Sequence, residues 1–244
     1  MQETTIGRKQ KLSVIIPVYN EEATIEELLK KVIAVRLTRD LEKEIIVVND
    51  ASKDKSEEIV TRVINQYPDE TIKYLKQSAN AGKGMAIRAG IRSVTGDYVI
   101  IQDADLEYDP EDYNPLLDYL IANKRAVVYG SRFLNKNNKS SYATFFWGGK
   151  LVSFITNILY GQKLTDEPTC YKLFDAGLLK SIDLKCTGFE FCPEVTAKVA
   201  KLGHKIDELP IRYYPRSIEE GKKIKWYDGV EAIWVLLKYR ITKQ

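Results

Sequence analysis

The stretch VIIQDADLEYDP, Val99 to Pro110, sets Asp103, Asp105 and Glu107 two residues apart directly behind an apolar run. On a regular strand that spacing turns all three carboxylates the same way. Carboxylates held so close repel one another, so the arrangement asks for a bound cation. An oxygen-only ligand set suits Mg2+ or Mn2+, ions that keep substrate phosphates in their shell. The plainer reading of an isolated D-x-D is a solvated loop. Asp50 closes a second apolar run, EIIVVND, placed either to accept hydrogen bonds from a ligand or to cap the next helix. Arg132 closes a third, AVVYGSR, where a guanidinium either clamps a phosphate or forms an ion pair. Arg216, Lys222 and Lys223 in RSIEEGKK read as a solvated charge run or as a basic loop that closes over a phosphate. Gly82 and Gly84 in NAGKG permit close backbone approach, but a Walker loop is excluded because no Ser or Thr follows the Gly-Lys pair.

These side chains need a frame that brings them together. KLSVIIPVYN opens as a strand, Leu12 to Ile16, broken at Pro17, and Ile25, Leu28, Leu29, Val32 and Ile33 then follow a helical period. EIIVVND is a strand, SKDKSEEIVTRVI a helix, Ile72 to Leu75 a strand and Lys83 to Ser93 a helix. Asp109 caps a further helix with Pro110 at its first position. TDEPTCYKLF returns a strand, FCPEVTAKVAKLG starts a helix near Pro193, and WYDGVEAIWVLLKY is a final amphipathic helix. Alternating elements with strands apolar on both faces predict an α/β fold, a mainly parallel sheet flanked by helices. Ligands of such sheets bind beyond the carboxyl ends of the strands, where Asp50, Asp103 and Arg132 all fall. We expect a catalytic domain over residues 1–225 and a C-terminal amphipathic helix over 226–244.

Composition narrows the partners. A net charge of +3 from 37 basic and 34 acidic groups is too balanced for a nucleic-acid partner. No apolar run reaches the roughly 18 residues a bilayer span needs. MQETTIGRKQ carries no signal-peptide segment. Cys170, Cys186 and Cys192, with His204 the one histidine, fit no zinc pattern and read as reduced thiols, so a cytoplasmic protein is expected. Glu190 and Glu194 flank FCP and either cap that helix or face a ligand.

Taken together and in order, SVIIPVYNEE, VVNDASKDKS, NAGKGMAIRAG, DADLE, GSR and TDEPTCYKLF resemble family 2 glycosyltransferases of the glycosyltransferase A fold. The resemblance covers roughly residues 12–225 and is nearest to polyprenyl-phosphate sugar transferases such as dolichyl-phosphate mannose synthase. It implies a nucleotide-binding role for Pro17, Tyr19, Glu21, Asp50, Lys83 and Asp103, and a metal site at Asp103, Asp105 and Glu107. Catalysis would fall to Asp105, Arg132, Arg216, Lys222 and Lys223. The implied reaction is inverting transfer of a hexose from UDP-glucose or GDP-mannose to a polyprenyl or dolichyl phosphate. An acceptor hydroxyl on a glycan is the alternative, for which Asp166 or Glu167 would serve as base. An inactive nucleotide-sugar-binding or assembly protein is the alternative from another class. FFWGGKLVSFITNILYG, Phe145 to Gly161, is too interrupted to span a bilayer and is either a core or dimer helix or an interfacial helix guiding a prenyl tail. The expected location is peripheral, on the cytosolic face of a membrane, held by surface helices, a membrane-embedded partner or a second copy of the chain.

Overall fold

The computed structural model describes residues 8–139, 143–216 and 226–242. Strands β1 (Lys11–Val18), β2 (Glu42–Asn49), β3 (Ile72–Lys76) and β4 (Tyr98–Ile101) alternate with helices α1 (Ile25–Ala34), α2 (Ser56–Gln66) and α3 (Lys83–Ser93). Then come α4 (Tyr113–Ala122), β5 (Val127–Ser131), α5 (Ala143–Tyr160), β6 (Lys172–Asp175), α6 (Ala176–Ser181), α7 (Phe191–Lys201), β7 (Asp207–Pro210) and α8 (Trp226–Ile241). One seven-stranded sheet runs β3-β2-β1-β4-β6-β5-β7. Only β6 is antiparallel to its neighbours, β4 and β5; the other pairings are parallel.

The apolar runs are continuous because both sheet faces are covered. Leu12, Val14, Ile16 and Val18 pack towards α1, α2 and α4, while Ile15, Ile46 and Val48 pack on the α3, α6 and α7 side. The expected break at Pro17 does not occur: β1 continues to Val18, with Pro17 opposite Val48. Ile15 faces β4, since its carbonyl accepts from Gln102 N at 2.9 Å, and Pro17, two residues on, faces the same side. Pairing with β4 has ended at Ile101, so the missing N–H leaves no ladder bond unmade. Asp109 caps as expected, but what it caps is a 3-10 turn, Pro110–Asp112, that runs into α4. Helix α7 begins at Phe191, two residues before Pro193.

A small third cluster holds the last helix in place. Val152 of α5, Ala197 of α7 and Leu236 of α8 are buried together. Tyr160 of α5 donates to the Leu236 carbonyl at 2.7 Å, and Tyr239 of α8 donates to Glu194 of α7 at 2.8 Å.

Candidate active site

Strands β2, β4 and β5 end on one rim, and the residues that follow them, Asp50, Asp103 and Arg132, line a single cavity of about 1020 Å³. Pro17, Tyr19, Glu21, Lys83, Asp105, Glu107 and Arg216 line the same cavity. Lys222 and Lys223 lie outside the described residues.

Asp50 is buried and neither caps α2 nor points freely at a ligand. Its carboxylate accepts from Gln77 Nε2 (3.0 Å), Ala81 N (2.8 Å) and Gly82 N (2.8 Å), fixing the loop ahead of α3. Gly82 (φ +92°) stands so near Thr187 that a Cβ would come within 2.4 Å of the Thr187 carbonyl oxygen, a contact only glycine avoids. The loop delivers Lys83, whose ammonium meets Asp103 Oδ1 at 2.5 Å and the Cys170 thiol at 3.0 Å. Burial works against the charge on Lys83, but Asp103 together with Cys170 and Cys192 more than offsets it and the pKa is raised.

The three carboxylates of DADLE do not share one face. Strand β4 stops at Ile101, and Leu106 takes a left-handed φ of 62°, so the alternation of a regular strand no longer applies. Asp103 turns to Lys83. Asp105 Oδ2 meets Arg216 Nη2 at 3.1 Å, and its Oδ1 accepts from Glu107 N. Glu107 turns away, accepting from Tyr213 Oη (3.0 Å) and Arg216 N (2.9 Å). Among the described residues no three His, Cys, Asp or Glu side chains are gathered as a metal-ligand set. Asp103 and Asp105 nevertheless suit a divalent cation. Burial, and then the neighbouring Asp103 and Glu107 carboxylates, push Asp105 up to about 7, a strain that added positive charge relieves. Mg2+ commonly rests on one or two carboxylates plus substrate phosphates, so Glu107 is not needed as a ligand. Arg216 supplies part of that charge here, spanning from Asp105 to Glu21 Oε2 at 3.3 Å.

Arg132 is not a surface ion pair. Its Nε and Nη2 grip Asp166 at 2.8 and 2.7 Å, its backbone N–H joins them at 2.9 Å, and Asp166 is wholly buried. This fork takes Asp166 out of contention as a free base. The Asp166 partnership was not legible in GSR; the return of TDEPTCYKLF to the sheet beside β5 is what creates it. Glu208 of β7 fastens the same segment through Thr165 N (2.6 Å) and Asp166 N (2.9 Å). Glu190 stands at the N-cap position of α7, but its side chain makes no capping bond there, and neither it nor Glu194 lines the cavity. Both bind backbone N–H groups of residues 185–188, Glu190 at Thr187 and Gly188, Glu194 at Lys185 and Cys186. The three cysteines are free thiols.

The far wall of the cavity comes from α5 and α8, through Phe146, Gly149, Val152, Trp226, Gly229 and Ala232. The outer faces of the two helices are apolar and exposed. Trp147, Leu151, Phe154 and Ile158 form one stripe on α5, and Trp226, Val230, Trp234, Leu237 and Ile241 another on α8. No helix among the described residues is long and apolar enough to cross a membrane.

A sheet of this order, with its polar residues gathered where parallel strands end, defines an α/β fold of the glycosyltransferase A type. Glucosyl-3-phosphoglycerate synthase from Mycobacterium tuberculosis, crystallised with Mn2+, uridine diphosphate and phosphoglyceric acid, superposes with a TM-score of 0.67 at 18% identity, over 96% of this chain and 80% of that one. The mannosyltransferase PcManGT of Pyrobaculum calidifontis, in complex with GDP-Man and Mn2+, gives 0.60 at 21% identity, over 84% of this chain and 56% of that one. Residues 13–183 match glycosyl transferase family 2, and the chain belongs to that family. Dolichyl-phosphate beta-glucosyltransferase ALG5A of Trichomonas vaginalis is 30% identical over 242 residues, 94% of this chain and 73% of the relative. That relative is named for glucose transfer, whereas the sequence resemblance took dolichyl-phosphate mannose synthase as its example and left glucose and mannose both open.

Proposed function

We propose that the protein transfers a hexose, with inversion, from a nucleotide sugar to a polyprenyl phosphate at a membrane surface, with UDP-glucose the favoured donor. The observation that carries this reading is the continuity of one cavity from the acidic rim to the wall of α5 and α8, helices whose outer faces are apolar and exposed. A donor needs the rim. A soluble saccharide needs neither apolar stripe, while a prenyl tail and the bilayer that delivers it need both. The glucosyltransferase relative supports glucose over mannose.

Pro17, Tyr19 and the Asp50-braced loop receive the nucleoside, and Lys83 and Arg216 meet its diphosphate. Asp103 and Asp105 are the residues that would hold Mg2+ or Mn2+, which when bound offsets charge developing on the leaving diphosphate. An acceptor phosphate oxygen bonds to the anomeric carbon as the bond from that carbon to the diphosphate oxygen breaks on the opposite face. That phosphate is ionised near neutral pH, so the step needs no general base. This accords with His204 lying at the end of α7 and with Asp166 being committed to Arg132. The basic residues Lys222 and Lys223 are assigned to the acceptor phosphate, and the apolar stripes to the cytosolic face of a membrane.

The test crosses UDP-glucose and GDP-mannose with a short polyprenyl phosphate and with soluble saccharides, using the full chain in detergent micelles and product mass as the readout. A hexosyl polyprenyl phosphate is expected. Transfer to a soluble saccharide with no lipid-linked product from either donor replaces this reading with the hydroxyl-acceptor one.

A further inference from the structure

Glu167 borders the cavity, and the proposed reaction leaves its carboxyl unused. It is wholly buried, yet neither carboxylate oxygen has a hydrogen-bond partner among the described residues. Nearly all buried polar atoms in folded proteins are satisfied, so two unsatisfied oxygens on one side chain call for an explanation. The backbone around Glu167 is fixed at both ends: its N–H donates to Ser153 Oγ at 2.8 Å and its carbonyl accepts from Lys172 Nζ at 2.7 Å. The same ammonium stops 3.9 Å from Oε1, beyond hydrogen-bond reach, and sits 3.6 Å over the Tyr129 ring. Lys172 thus offsets the carboxyl's charge without occupying its lone pairs. Thr196 of α7, which bonds Tyr129 Oη at 2.9 Å, also lies beside the carboxyl, without a well-formed hydrogen bond to either oxygen. Burial raises the Glu167 pKa, while Lys172 and then the Thr196 hydroxyl pull against it.

Glu167 borders the same cavity as Asp103, Cys170 and Cys192, ahead of β6, whereas Pro17, Tyr19 and Asp50 belong to the β1 and β2 side of the rim. A diphosphate is repelled by a carboxyl without a hydrogen-bonding cation. Of a nucleotide sugar, that leaves the hydroxyl-bearing rings, and the ribose belongs with the nucleoside at the Pro17 and Asp50 side. We infer that Glu167 is a specificity-determining residue whose side chain hydrogen-bonds a ring hydroxyl of the hexose being transferred. The inference rests on the reading that a nucleotide-linked hexose occupies this cavity, and is independent of the acceptor. A site built to bond a hydroxyl rejects the analogue that lacks it, because its own polar atoms are then left unpaired.

The experiment compares UDP-glucose with its 2-, 3-, 4- and 6-deoxy analogues in the full chain, and GDP-mannose with its deoxy series if that is the donor turned over. In the native protein, one analogue should lose roughly ten- to a hundredfold in kcat/KM. Glu167→Ala should lower the parent donor by a similar factor and abolish the penalty for that one analogue, with UDP affinity by calorimetry changed less than about threefold. Glu167→Gln, which keeps an acceptor oxygen and the shape, should restore part of the loss. The inference is overturned if Glu167→Ala leaves the ranking of analogues as in the native protein. It is overturned equally, without any variant, if the native protein treats every deoxy donor like its parent. Failure of both donors to react would bring down the transfer reading itself, a result distinct from an unchanged ranking.

Discussion

At the scale of single residues the site is defined by charges that already have partners. Asp105 is the sharpest case, lying between Arg216 and two other carboxylates in a buried setting. Replacing Asp105 with Asn removes negative charge that any divalent cation would use. Transfer should fall by roughly a hundredfold or more, as when one stabiliser of a developing charge is lost. Mn2+ should titrate more weakly by calorimetry while the melting temperature holds. Full turnover with an unchanged metal titration would exclude the role. Arg132 illustrates what sequence reading reaches and what it misses. Its position beyond a strand was legible because a strand end can be read locally. Its fork with Asp166 was not, because that partner lies 34 residues away and arrives only with β6. Glu107 was expected on one face with Asp103 and Asp105, and is not, for a related reason. The period-two argument assumes strand geometry, and the turn at Leu106 abolishes it.

At the scale of elements, two buried carboxylates act as junctions. Glu44 of β2 is wholly buried and accepts from Ser13 of β1, Lys73 of β3, and Thr95 and Gly96 ahead of β4. Burial alone would raise its pKa, but the bonds from Ser13, Lys73 and Thr95 carry it down to about 2 from the ordinary 4.5. A folded pKa below the unfolded one gives stability that is complete above the unfolded value and is lost as pH falls through the folded one. Urea unfolding should therefore lose roughly 3 kcal/mol from this group as pH drops from about 5 towards 2. Glu44→Gln should flatten that part of the profile, and an equally steep profile in the variant would refute the assignment. Glu194 of α7 joins three pieces: the 185–188 loop, Lys198 on its own helix, and Tyr239 of α8. Glu194→Ala leaves the buried Lys198 ammonium without its counter-charge, which should cost about 3–5 kcal/mol in denaturant unfolding. A loss below about 1 kcal/mol would show that water readily takes the carboxylate's place. Sequence reading left Glu194 between a helix cap and a ligand contact. The loop it serves has no pattern of its own, and α8 lies over forty residues further on.

At the scale of the whole molecule, the sheet's apolar runs and their order of appearance were legible, since burial on both faces leaves a local signature. The division of α5 into a packed face and a bare one was not, because aromatic and aliphatic residues crowd both sides. Val152 is 3% exposed where Trp147 is 69%. If the bare stripes meet a bilayer, Trp147→Ser with Trp234→Ser should weaken co-sedimentation with phosphatidylcholine–phosphatidylserine vesicles by roughly tenfold or more, with little change in melting temperature. Unaltered vesicle binding would assign the stripes to a partner protein or a second copy of the chain. The antiparallel placement of β6 has a wider consequence. Strand β5 leaves the sheet and β6 re-enters beside it at the same rim, so the two form a hairpin whose connection is residues 132–171. The hairpin's register does not depend on how long that excursion is, because both of its ends lie at one edge of the sheet. Helix α5, which walls the cavity and carries one bare stripe, can therefore lengthen, shorten or change its surface without disturbing the strands that hold Asp50 and Asp103. The architecture lets the α5 wall of the cavity vary while the rim that carries Asp50 and Asp103 is kept.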